Sequence, residues 1–274
     1  MEGYKLIMEK PFDENKVSFI VPTYNRRDFL HINLSTLTNQ SHKNIEIIVI
    51  NDCGEDVSDV INSFNDNRIK YIVNENNLGL AGSRNVGLKN VTGDWVSFID
   101  DDDGATPIFA EMMLRSVLSS KFNVAYCDSV RMHQRPNELG GYDVFWRDVP
   151  YSISYDPDLL LVMNISPVNC FMIKRECFDN VPLFDETVHV YEDYLMNIEL
   201  SLKYEFLHIP IPLVFHTWRE NGSTMSSSRD FTTPMPGIYK RYAKHAINKE
   251  WVYSNMNAIL KARGQEQINF YELG

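Results

Sequence analysis

Four consecutive aspartates, Asp100, Asp101, Asp102 and Asp103, carry the strongest chemical signal in the chain. Freely solvated, four neighbouring carboxylates repel one another for no structural gain. A divalent cation relieves that repulsion, and hard oxygen ligands suit Mg2+ or Mn2+, which keep positions open for water and phosphate oxygens. The competing reading is an acidic loop capping the helix after it. The apolar run at residues 95–99 leads directly into the cluster. That places the acids at a strand end and favours the metal site.

The surrounding elements give the cluster its company. Residues 17–22 form an apolar run of the kind found in a parallel strand buried on both faces. It stops at Thr23-Tyr24-Asn25, where Asn25 suits the N-cap of a helix with Phe29, Leu30, Leu34 and Leu37 on one face. Residues 45–50 read as a second buried strand, ending at Asn51-Asp52-Cys53-Gly54. A helix at 57–64 and a strand at 69–73 follow. A loop at 74–79 leads into a helix at 80–89, and the fourth strand is 95–99. Pro107 opens a helix running through Leu118, and 122–127 is another strand. Strands alternating with helices imply a mostly parallel sheet flanked by helices. Such sheets bind ligands beyond the carboxyl ends of their strands, which collects Tyr24, Asp52 and the four aspartates at one rim. The second half is less regular. Residues 133–155 hold aromatics without a clear period, strands are expected at 168–174 and 206–215, a helix at 193–203, and a helical tail at 236–260.

Composition narrows the function classes. The chain has 274 residues, 44% hydrophobic and 23% charged, an ordinary soluble composition. No apolar run reaches the length of a membrane span, and the first ten residues lack the apolar core of a signal peptide, so a cytoplasmic protein is expected. Cys53, Cys127, Cys170 and Cys177 show no C-x-x-C spacing and read as free thiols. A net charge of −11 argues against a nucleic-acid partner and against broad adhesion to anionic lipid. It leaves room for a small anion bound through a metal ion and backbone amides.

The segments Val17-Ser-Phe-Ile-Val-Pro-Thr-Tyr-Asn-Arg26, Val49-Ile-Asn-Asp52, Leu78-Gly-Leu-Ala-Gly-Ser-Arg-Asn85 and Gly93-Asp-Trp-Val-Ser-Phe-Ile-Asp-Asp-Asp-Asp103 resemble, in order and spacing, the family 2 glycosyltransferases of the GT-A fold. The resemblance continues more weakly to about residue 226. It implies a Rossmann-like α/β fold in which residues 1–16 are an arm, 17–128 bind the nucleotide-sugar, 129–228 bind acceptor and carry catalysis, and 229–274 are a helical extension. It implies an inverting, metal-dependent transfer from a nucleotide-sugar, with UDP favoured, to a hydroxyl of a glycan, lipid-linked or protein acceptor, in bacterial surface glycan synthesis, with peripheral membrane contact allowed.

Carried over position by position, Pro22, Thr23 and Tyr24 would line the base pocket, with the Tyr24 ring against uracil. Asp52 would accept from the imide N–H, and Arg84 would sit near the donor diphosphate or ribose. Asp100 and Asp102 match the D-x-D element, with Asp102 the foremost Mn2+ or Mg2+ ligand and Asp103 a further acid on metal or sugar. Glu192-Asp193 resembles the family's Glu-Asp pair, making Asp193 the general base and Glu192 an acceptor contact or loop anchor. In the loop from Phe215 to Thr224, His216 would be a third metal ligand and Arg219 would contact phosphate. Trp146, with Tyr142, Phe145, Tyr151 and Tyr155, is a candidate for stacking on acceptor sugar. The chain departs from the family at Asn51, where an acid is usual, which leaves the identity of the base open. Two other readings are a sugar nucleotidyltransferase, whose Gly-rich basic loop is absent from Pro22-Thr-Tyr-Asn-Arg-Arg27, and a degenerate binding module, which would have lost the D-x-D element or the base.

Overall fold

In the computed structural model, which describes residues 11–138, 140–220 and 230–272, the first half is a run of alternating strands and helices. These are β1 (Val17–Thr23), α1 (Arg27–Thr38), β2 (Ile45–Asn51), α2 (Ser58–Ser63), β3 (Ile69–Val73), α3 (Gly79–Asn90) and β4 (Trp95–Phe98). Every residue of β1, β2 and β4 is buried, as strands covered on both faces must be. Helix α3 lies so close to β1 that a Cβ on Gly87 would come within 2.5 Å of Ile20. Glycine at that position seats the helix and with it Arg84, one turn earlier, beneath the sheet's carboxyl rim.

The second half adds β5 (Gly104–Ala105), α4 (Phe109–Leu118), β6 (Val124–Pro136), β7 (Tyr142–Asp148), α5 (Pro157–Val162), β8 (Phe171–Lys174), α6 (Glu192–Ser201), β9 (Phe206–Arg219), α7 (Met235–Tyr242) and α8 (Lys249–Ala262). The nine strands among the described residues form one sheet in the order β3-β2-β1-β4-β8-β6-β9-β5, with β7 against the outer part of β6. The block β3-β2-β1-β4 is parallel, as is β6 with β9, while β8, β5 and β7 pair antiparallel. β6 is continuous through residue 128, so the two halves share one sheet. No helix among the described residues is long and apolar enough to cross a membrane, and all four cysteines are free.

Four expectations are corrected. Asn25 does not cap α1: it takes a left-handed φ of 54°, and its side chain instead accepts from Glu55 N at 2.8 Å. The chain must turn sharply out of β1, and the asparagine serves that turn. The segment at 133–155 is regular in part, since residues 133–136 and 142–148 belong to β6 and β7, paired with a register shift at His133/Gln134, which breaks the alternation a sequence scan relies on. Residues 168–170 form a 3-10 turn before β8 starts. The tail is two helices, because the Asp158 carboxylate accepts from both Ile247 N and Asn248 N at 2.7 Å, and Asn248 then caps α8 through Trp251 N. Tyr239 donates to Val162 O at 2.7 Å and Tyr242 to Glu199 at 2.6 Å, so the tail is fastened to α5 and α6.

Candidate active site

The four aspartates form a tight turn past β4, closed by Asp103 N donating to Asp100 O at 3.0 Å. Asn33, fully buried on α1, braces it by donating to the carbonyls of Asp100 and Asp103, both at 3.0 Å. Thr217 on β9 holds the third carbonyl, Asp102 O, at 2.9 Å. With the backbone fixed, the side chains fan out to different partners. Asp100 takes Arg84 at 2.8 Å, and Asp101 takes Thr23 at 2.7 Å and Arg26 at 3.3 Å. Asp102 takes Arg26 at 3.0 Å and Arg219 at 2.8 Å through a single oxygen. Asp103 uses both of its oxygens, on Thr217 N at 2.9 Å and Asn169 at 2.6 Å.

Arg84 ties this turn to the second acidic pair. Its guanidinium is buried and donates to Asp100 and, at 2.9 Å, to Glu192 at the start of α6. Burial opposes its charge, but Asp100, Glu192 and Asp193 outweigh burial and raise its pKa further. Asp193 accepts from its own neighbour Tyr194 N at 2.7 Å and from Asn164 at 3.3 Å. Burial, together with Glu192, pushes it up to about 6 despite Arg84. Burial likewise lifts Asp101 to about 7, with Asp102 adding to the shift, and raises Asp103 well above the carboxylate range. Six carboxylates (Asp100 to Asp103, Glu192 and Asp193) thus crowd around three guanidinium groups, leaving an excess of negative charge.

On the other flank, Asp52 follows β2 and is spent on the loop before α3. It accepts from Leu78 N and Gly79 N at 2.8 Å and from Asn74 at 2.9 Å. Gly79 has φ of 74°, a value only glycine adopts without cost, and this lets the chain turn into α3 from the point where its amide meets the carboxylate. Tyr24 stands beside it, 49% exposed.

These groups enclose one cavity of about 680 Å³. Pro22, Thr23, Tyr24, Asp52, Arg84, Asp100, Asp102, Asp103, Glu192, Asp193 and His216 all line it. Arg219 and Trp146 do not. Arg219 is buried behind Asp102, with its guanidinium 3.9 Å from the Phe29 ring centre. Trp146 is 54% exposed on β7, next to His133. Of the other aromatics singled out from the sequence, Tyr151 alone lines the cavity. Arg26, Asn164 and Asn169 also line it and escaped the sequence reading. Arg26 ends the segment at 17–26 and carries that signal, whereas the two asparagines carry none. His216 bonds Ser129 through Nδ1 at 3.1 Å, and burial followed by Arg131 lowers its pKa to about 4. It is a neutral imidazole at physiological pH.

Residues 18–181 match the family model described as glycosyl transferase family 2. The chain is a family 2 glycosyltransferase. An uncharacterised glycosyltransferase of Haemophilus influenzae is 31% identical to the enzyme over 214 residues, 77% of this chain and 71% of the relative. Glycosyltransferase YwdF of Bacillus subtilis is 28% identical over 212 residues, covering 77% and 78%. In three dimensions the enzyme is similar to S. aureus TarS 1-349 in complex with UDP-GlcNAc, with a TM-score of 0.69 and 23% identity over 89% of this chain and 71% of that one. The shared architecture is the GT-A fold.

Among the described residues no three His, Cys, Asp or Glu side chains converge as a closed metal cage. The donor set fits an open site instead. Asp100 and Asp102 each leave one carboxylate oxygen without a partner among the described residues, and the surplus negative charge is what a bound cation would offset. The glycosyltransferase's residues therefore fit a hard divalent ion that completes its coordination with ligand oxygens.

Proposed function

We propose that the enzyme transfers a sugar from a UDP-sugar to an acceptor hydroxyl, with inversion at the anomeric carbon and with Mn2+ or Mg2+ as cofactor. The observation that carries this reading is the meeting, in one cavity, of the Tyr24 and Asp52 flank, the acidic turn and Asp193. TarS, the structural relative, has been seen with UDP and with UDP-GlcNAc, which supports uridine as the base. Tyr24 stacks on that base, and Asp52 has acceptor capacity left on Oδ2 for the imide N–H. Asp100 and Asp102 would hold the ion, while His216 lines the same cavity but, among the described residues, does not converge with them on one point. Asp103, with both oxygens engaged, braces the turn. When bound, the ion neutralises charge on the departing diphosphate.

Asp193 removes the acceptor proton. With a pKa of about 6 it is ionised at neutral pH yet more basic than an ordinary carboxylate, which suits a general base. The acceptor oxygen bonds to the anomeric carbon as the bond to the nucleoside diphosphate breaks, and a single displacement of this kind inverts that carbon. Glu192, held by Arg84, orients the pair. The acceptor is a surface glycan or its lipid-linked precursor, reached from the cytoplasmic side. The exposed turn between α7 and α8, with Lys244 and Ile247 in it and Lys249 and Trp251 just beyond, supports local contact with lipid there, though exposed Glu250 and the net charge of −11 weigh against broad adhesion.

The test is thermal stabilisation by a panel of nucleoside diphosphates and nucleotide-sugars, with and without Mn2+, in the native enzyme and in Asp193→Asn. Stabilisation by UDP that disappears on chelation, together with loss of transfer but not of UDP stabilisation in the variant, is the expected outcome. Absence of any nucleotide effect at millimolar ligand, or unchanged turnover in the variant, refutes the assignment.

A further inference from the structure

The C-terminal extension lies beyond residues 18–181, the part matched by the family model, yet it reaches the cavity. Tyr191 and Phe231 both line the cavity. The Tyr191 hydroxyl donates to Phe231 O at 2.6 Å, and the two rings meet edge to face at 5.2 Å. Arg263, just past the end of α8, closes the junction: its Nη1 donates to Phe231 O at 2.7 Å and to the Tyr191 hydroxyl at 3.0 Å. Gln265 adds a fourth strut, donating to Thr232 O at 2.8 Å.

Tyr191 is an unusual residue to tie down. It immediately precedes Glu192 and Asp193 and has φ of 67°. A side chain with a Cβ adopts that left-handed conformation only against a cost, so surrounding contacts must hold it there. Were Tyr191 to relax to right-handed backbone, the first turn of α6 would be re-aimed, and Asp193 with it. Tyr191 Oη, Phe231 O and Arg263 Nη1 form a closed three-way junction that resists this.

We propose that Arg263 is a positioning residue for the transfer reaction: it clamps Phe231 and Tyr191 together, fixing the rim of the cavity and the entry of α6 so that Asp193 points at the acceptor. The C-terminal extension is then part of the catalytic unit. This rests on the glycosyl-transfer reading for its consequence in turnover, but the clamp itself is testable without activity.

The experiment compares the native enzyme with Arg263→Ala, Arg263→Lys, Tyr191→Phe and the Arg263→Ala/Tyr191→Phe double variant. Hydrogen–deuterium exchange at residues 189–194 and 230–234 is read beside the melting temperature, and hydrolysis of UDP-GlcNAc with Mn2+ gives kcat and KM. Arg263→Ala should raise exchange in both segments at least tenfold while the melting temperature moves little. It should lower kcat about tenfold, equivalent to about 1.4 kcal/mol. Arg263→Lys, which can still reach one of the two oxygens, should recover part of the loss. The double variant should be no worse than Arg263→Ala alone, because both changes break one junction. Unchanged exchange in the two segments overturns the proposal, as does an activity loss that merely tracks a fall in melting temperature. If the native enzyme neither hydrolyses UDP-GlcNAc nor binds UDP, the functional assignment falls while the exchange result still decides the clamp.

Discussion

Replacing Asp193 by asparagine should make the protein more stable at neutral pH. The folded chain holds a proton on Asp193 up to about pH 6, whereas the unfolded chain releases it near the ordinary 3.8. Between these values the folded state binds more protons, so the stability present at low pH is lost as pH rises through 6. Complete ionisation of this buried carboxylate costs the fold roughly 3 kcal/mol. The amide escapes that cost but not all others. Its oxygen can still accept from Tyr194 N, but its NH2 would then face the amide of Asn164, whose own oxygen already accepts from Asn197 at 3.1 Å. One unsatisfied N–H returns about 1–2 kcal/mol of the gain. A net stabilisation of about 1–2 kcal/mol at pH 7.5 remains. Urea unfolding of both proteins at pH 7.5 and 4.5 measures it. By pH 4.5 most of the charge penalty is already gone in the parent, so the advantage should vanish or reverse. A variant no more stable at pH 7.5, or a gain that persists unchanged at pH 4.5, would refute the idea that Asp193 sits under electrostatic load.

Tyr24→Ala removes the exposed ring proposed to stack on the base. UDP affinity should fall about tenfold by calorimetry, in keeping with about 1–3 kcal/mol for a base on an aromatic face, with little change in unfolding. Arg219→Met takes away one of the two guanidinium partners of Asp102 and leaves Arg26 at 3.0 Å, so unfolding free energy should drop by about 2–3 kcal/mol, the cost of a hydrogen bond to a charged group. If Arg219 instead served phosphate directly, UDP affinity would fall while stability held. Ile247→Asp with Trp251→Ser should abolish co-sedimentation with phosphatidylglycerol vesicles and leave UDP binding intact. Equal binding by variant and parent removes that turn from any membrane role.

The parallel half was legible because its physics is local. Runs such as Ile45-Glu-Ile-Ile-Val-Ile50 bury both faces, and turn residues mark each rim. Asp52, Asp100 and Asp102 were legible for the same reason, since a strand end is a position that the sequence itself marks. What stayed hidden depends on contacts across long stretches of chain. Nothing near Asn33 announces that it braces a turn some 70 residues away. Asn169 lies in a 3-10 turn without periodicity, and Arg219, in a segment that resembles a phosphate loop, folds inward because Asp102 and the Phe29 ring offer a buried charge both a partner and a face. β7 was lost to the shift in register, and the break between α7 and α8 is imposed by Asp158, some 90 residues earlier.

The grip of Asp52 on the start of α3 has an implication for the order of events at the site. The amide groups at a helix N-terminus are the usual landing place for a nucleotide's phosphates in α/β proteins. Here Leu78 N and Gly79 N are already occupied by the protein's own carboxylate. A diphosphate entering alone would find that berth taken and a ring of acids opposite. On the proposed reading, nucleotide and divalent ion are therefore strongly cooperative ligands: each raises the affinity for the other by the same factor, as linkage requires. Free nucleotide would be a poor competitor wherever the ion is scarce, and intracellular Mn2+ or Mg2+ would set how much donor the enzyme holds.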